Sequence, residues 1–119
     1  MSEDRQQYGA VYVSGRITGD RRWFRHRFAK AEALLREQGF VRVANPAALT
    51  DTVGYETYAD ALKFDISIIL QCSHIYMLTG WRESPGAVAE WVAARACGLT
   101  VLYEDPTDAA TDWRVEVSA

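Results

Sequence analysis

Apolar positions follow two alternating patterns along the chain. Some are short continuous runs, and others recur every three or four residues over longer stretches. Ala10-Val11-Tyr12-Val13-Ser14 is a run of the first kind and reads as a buried strand ended by Gly15. Asp20 is the expected N-cap of a helix in which Phe24, Phe28, Ala31 and Leu35 share one face, and Gly39 marks its end. Val41-Arg42-Val43-Ala44 is the second strand, stopped by Asn45-Pro46, and a loop is expected over 46–55. A second helix is predicted over 56–71 with Tyr58, Leu62, Ile66 and Ile69 as its apolar face. Ile75-Tyr76-Met77-Leu78 is the third strand. Ser84 and Pro85 then predict the cap and first position of a third helix, apolar through Val88, Trp91, Val92 and Ala96 and closed by Gly98. Thr100-Val101-Leu102-Tyr103 is the fourth strand, and Arg114-Val115-Glu116-Val117 in the acidic tail is a candidate fifth.

Strands that are apolar at nearly every position, separated by amphipathic helices, predict a parallel sheet covered on both faces. The expected fold is therefore α/β, a Rossmann-like (flavodoxin-like) three-layer sandwich with four or five parallel strands. The first two strands should be adjacent, with the third on the other side of the first. Ligands in such sheets bind beyond the carboxyl ends of the strands, which directs attention to the loops at 15–21, 45–55 and 79–86.

Composition narrows the function classes. A chain of 119 residues, 49% apolar and 24% charged, suits one packed domain, here 10–119 after a mobile tail over 1–9. A domain of this size often buries more surface by dimerising, so a homodimer or higher homo-oligomer is expected. The net charge of -3 argues against general nucleic-acid binding but not against one small anion held locally. No apolar run approaches the ~20 residues of a membrane span, and the polar start lacks a secretory pattern. Both point to a cytoplasmic protein without membrane association. Cys72 and Cys97 have neither CxxC spacing nor a His cluster, so reduced thiols are expected and no metal.

Three constellations could carry chemistry. Ser14-Gly15-Arg16-Ile17-Thr18-Gly19 follows a strand and precedes a helix, with Arg21 and Arg22 close behind. Glycines that free backbone N–H groups, a helix N-terminus and arginines together suit a phosphate; a plain tight turn with solvated arginines is the alternative. In Ser84-Pro85-Gly86-Ala87-Val88-Ala89-Glu90, Gly86 lies on the face of Glu90 and would leave open space beside the carboxylate, unless Glu90 is simply solvated. Asp65 lies at the edge of the second helix's apolar face. If it points over the sheet end, two carboxylates share a cleft, as glycosidic bond cleavage requires.

These same segments resemble the nucleoside 2-deoxyribosyltransferase superfamily. Val11-Tyr12-Val13-Ser14-Gly15-Arg16-Ile17-Thr18-Gly19 is similar to its opening strand and loop. Asn45-Pro46, Asp65 before Ile66, and Ser84-Pro85-Gly86-Ala87-Val88-Ala89-Glu90 then appear in its order. The resemblance covers about residues 10–103 and is nearest to an uncharacterised bacterial and phage branch with a Gly-Trp pair like Gly80-Trp81. It implies that Glu90 is a nucleophile toward C1′ of a sugar, that Asp65 assists the departing base, and that Tyr12 places the carboxylate and the sugar. Ser84 stands where 2′-deoxynucleoside 5′-monophosphate N-glycosidases tend to carry serine and transferases acting on free nucleosides an aspartate. A carboxylate there would repel a 5′-phosphate, whereas a hydroxyl at a helix N-terminus can donate to it. The implied phosphate set is Ser14, Gly15, Arg16, Ile17, Thr18, Gly19, Ser84 and Gly86, with Asn45 and Trp81 for the base. The expected ligand is a small nucleotide or nucleoside, and the expected reaction is cofactor-free hydrolysis of a nucleoside monophosphate. Deoxyribosyl transfer and nucleotide binding without turnover are the rivals.

Overall fold

The computed structural model describes residues 9–17, 22–49 and 57–110. The tail over 1–8, Thr18, Gly19 and Asp20, the loop over 50–56 and the fifth-strand segment lie outside the described residues.

The strands are β1 (Ala10–Ser14), β2 (Arg42–Ala44), β3 (His74–Met77) and β4 (Thr100–Tyr103). They form one parallel sheet in the order β2-β1-β3-β4. The second and third strands each start one residue away from their sequence-based limits. Strand periodicity sorts the side chains between two cores. Val11, Val13, Tyr76 and Leu78 face helix α1 (Phe24–Glu37), which contributes Phe24, Phe28, Ala31 and Leu35. Tyr12, Ile75 and Met77 face the opposite side, covered by α3 (Tyr58–Ile69) and α4 (Pro85–Ala96). Both faces being buried explains why the strands are apolar without alternation. The fold is thus a Rossmann-like three-layer α/β sandwich with four parallel strands.

Helix ends follow local chemistry, with some departures from the sequence pattern. Gly39 and Gly98 take positive φ one residue past the C-caps, and the chain closes back with Phe40 N–H on the Leu35 carbonyl and Leu99 N–H on the Ala94 carbonyl. The N-cap of α1 is Trp23, without a side-chain bond, and the expected cap Asp20 lies outside the described residues. Thr57 caps α3 by accepting from Asp60 N–H at 3.1 Å. Within the expected loop after β2, Pro46–Leu49 form a short helix, α2, and Pro106–Ala110 form α5 after β4.

Two helix faces differ from expectation. In α3 only Ile69 is fully buried, and Tyr58 is 62% exposed at the first turn. In α4 the buried residues are Ala87, Glu90, Trp91 and Ala94, while Val92 and Ala96 face outward. An Ala- and Val-rich helix has no single apolar stripe, so packing decides its rotation. Trp91 stacks on Trp81 with centroids 5.1 Å apart, which sets small residues against the sheet and turns Glu90 inward. Among the described residues, no helix is long and apolar enough to cross a membrane.

Candidate active site

The carboxyl ends of the strands open into a cleft of about 730 Å³, within the size range of small-molecule sites. Its floor is built from the sheet face that carries Tyr12 and Ser14. These two residues are on the same side of β1 because they are two apart, and both are fully buried. Glu90, one turn into α4 and only 6% exposed, points down between them. Tyr12 Oη donates to Glu90 Oε2 at 3.0 Å, and Ser14 Oγ donates to Glu90 Oε1 at 2.7 Å. Each carboxylate oxygen therefore has its own donor.

Asp65 reaches the same place from α3, within hydrogen-bonding reach of Glu90 and Tyr12. Its Oδ1 is buried with no partner among the described residues. Burial, the largest cause, pushes the Glu90 carboxyl up to about 8; the Ser14 hydroxyl opposes this and the Asp65 charge adds to it. Burial likewise raises Asp65 to about 6, opposed by its bonds to Glu90 and Tyr12. Two carboxyls in contact resist ionising together, so near neutral pH the pair holds one negative charge and one proton.

Part of the cleft wall is the first turn of α4. Ser84 caps it by accepting from Ala87 N–H at 3.2 Å, which leaves the hydroxyl hydrogen available to a ligand. Pro85 at the first helical position removes one N–H, and the positive end of the helix faces the cleft through Ser84 and Gly86. Arg16 lies at the rim, where its guanidinium pairs with Glu83 at 3.3 Å. Ile17, Pro46 and Leu62 add apolar wall.

The chain belongs to the DUF4406 family. The family's sequence model, described as a domain of unknown function, matches residues 9–103, from just before β1 to the end of β4. Tyr12, Ser14, Asp65, Ser84 and Glu90 all fall inside the DUF4406 span. No curated protein sequence matches the chain.

Within this DUF4406 domain the structure brings Tyr12, Asp65 and Glu90 together with Arg16, Ile17, Ser84 and Gly86 around one cleft. Thr18 and Gly19 lie outside the described residues. Other sequence-based roles change. Ser14 gives its hydroxyl hydrogen to Glu90 and not to a ligand. Gly15 lines the cleft as expected and has a packing role besides: a Cβ there would come within 2.8 Å of the Leu78 side chain, so close packing of the chain after β1 on the residue after β3 requires the glycine. The space expected beside Gly86 is occupied by Tyr58, whose hydroxyl would sit 2.6 Å from a Cβ at that position.

Neither residue assigned to the base lines the cleft. Trp81 is 1% exposed, packed between Trp91 and Tyr103, and serves as the anchor of the turn before α4. Asn45 caps α2 through Ala47 N–H at 3.0 Å and donates to Glu32 at 3.1 Å, so its amide is spent on the fold. The sequence pattern missed Tyr58, read as core, and Glu83. Their partners Gly86 and Arg16 are distant in the chain, and no local spacing signals either pairing.

Proposed function

We propose that this protein cleaves the N-glycosidic bond of a nucleoside 5′-monophosphate, with Glu90 as the nucleophile. The observation that carries this reading is a deeply buried glutamate with a hydroxyl donor on each oxygen and a second carboxyl in contact, at the floor of a ligand-sized cleft. The same features support the resemblance to the nucleoside 2-deoxyribosyltransferase superfamily. In a solvated structural role a carboxylate has no need of this arrangement.

The working state carries the charge on Glu90 and the proton on Asp65, a tautomer of the one-proton pair. As the bond between C1′ and the base nitrogen lengthens, positive charge grows on the sugar and favours the ionised Glu90 beside it. A Glu90 oxygen forms a bond to C1′, the bonding electrons leave with the base, and Asp65 supplies the proton that neutralises it. Asp65, now ionised, takes a proton from water as that water attacks C1′. The sugar–Glu90 ester breaks, and the products are free base and sugar 5-phosphate. The phosphate fits between Arg16 and the first turn of α4, where a helix N-terminus and the Ser84 hydroxyl favour an anion.

The test is a panel of ribo- and deoxyribonucleoside 5′-monophosphates analysed for released base by chromatography. Wild type should release base from at least one member, and Glu90→Ala should abolish release with an unchanged circular dichroism spectrum. A nucleotide that binds and stays intact would replace this reading with a binding module. Faster loss of the glycosyl group to an added base than to water would make the protein a transferase.

A further inference from the structure

Ser14 was expected to face a phosphate, yet it is fully buried and 2.7 Å from Glu90 Oε1. We propose that Ser14 is a positioning residue for Glu90, whose hydroxyl holds the ionised carboxylate at the floor of the cleft. What Glu90 then does rests on the function proposed above; the hold of Ser14 on its charge does not.

The surroundings leave this task to hydroxyls. From β1, Glu90 meets Tyr12 and Ser14; from α3 it meets Asp65, an acid that opposes its charge. On its own helix the neighbours one turn away are Gly86, Ala87, Ala93 and Ala94, none of them polar in the side chain. Among the described residues, the charged groups at the rim are Arg16 and Glu83, which pair with each other. A carboxylate this deep is unfavourable unless donors meet it. Tyr12 lies within reach of Asp65 as well as of Glu90, whereas the single hydroxyl hydrogen of Ser14 goes to Glu90. Backbone geometry fixes that donor: the Ser14 carbonyl accepts from Leu78 N–H at 2.8 Å, locking the end of β1 against the residue after β3.

Ser14→Ala removes one oxygen from a buried position, and Ser14→Cys keeps a weaker donor there. The titration of Glu90, followed by carbon NMR of its carboxyl and assigned by loss of the signal in Glu90→Gln, should move up by about one pH unit in Ser14→Ala. The cysteine variant should fall between. The gap in urea midpoint between wild type and Ser14→Ala should be small at pH 5.5 and widen by pH 9, since only the charged form loses its donor. If base release is found, the alkaline limb of its pH profile, where the pair loses its one proton, should shift up by the same amount, with kcat reduced more than KM is changed. An unmoved Glu90 titration, or a stability gap constant with pH, overturns the proposal. Wild type that releases no base defeats the proposed function instead, and the titration still decides the role of Ser14.

Discussion

Glu90→Gln should make this protein more stable at alkaline pH than the wild type. The folded carboxyl titrates at about 8 against an ordinary value of 4.5. Between those limits the folded state holds a proton that the unfolded chain has released. A folded value raised above the unfolded one means stability is fully present below pH 4.5 and is lost as pH rises through 8. The slope is about 1.4 kcal/mol per pH unit for one proton, so the loss between pH 6 and 8 is about 2–3 kcal/mol. That is a large share of the ~5–15 kcal/mol by which domains are stable. Asp65, raised to about 6 from 3.8 and only partly buried, adds a shallower loss at lower pH. Glutamine keeps the shape but cannot ionise. Its amide must turn one hydroxyl, Tyr12 or Ser14, from donor to acceptor, a change of about 1 kcal/mol that does not depend on pH. Urea unfolding at half-unit steps from pH 5.5 to 8.5, at constant ionic strength, should therefore give a wild-type curve that falls and a Glu90→Gln curve that is nearly flat above pH 6.5. Parallel curves would refute the buried charge, and with it the argument for a tuned carboxyl pair.

Ser84→Asp should weaken a nucleoside monophosphate roughly ten-fold or more, and more than Ser84→Ala does, while changing the matched nucleoside far less. Calorimetric titration of both ligands checks this, and equal losses for both would remove the phosphate from the first turn of α4. Gly15→Ala should cost about 1–3 kcal/mol by overpacking, read as a lower unfolding midpoint. Adding Leu78→Ala should give less than the sum of the two single losses, and strict additivity would mean that the Cβ meets no obstacle at Leu78.

The sheet order and the elements flanking the cleft were legible because each strand and helix carries its own local pattern. Thr100–Tyr103 and the Ser84-Pro85 helix start match their limits, since β-branched runs and a Ser-Pro cap are short-range signals. The pairing of Asp65 with Glu90 was legible only on the condition that Asp65 points over the sheet end, and through the resemblance, because a mid-helix acid in α3 and one a turn into α4 share no local signal. Side-chain direction was less accessible. Trp81 and Asn45 have base-reading chemistry but are used by the fold, one in an aromatic stack and the other as a cap. Ser14 was read as the strand's last residue opening a phosphate loop, and the strand's two-residue repeat carries its hydroxyl inward instead. The rotation of α4 depends on Trp91 finding Trp81, a contact that no window of sequence contains.

The two carboxyls ride on elements held with unequal firmness. Glu90 is gripped from β1, an interior strand hydrogen-bonded along both edges and buried from Val11 to Ser14. Asp65 is carried by α3, which has a single fully buried residue. Breathing of the domain therefore concentrates on the Asp65 side of the cleft, while the floor beneath Glu90 stays rigid. Under the proposed function, that division would let leaving groups of different size be accepted by a shift of one helix, with the geometry of attack undisturbed.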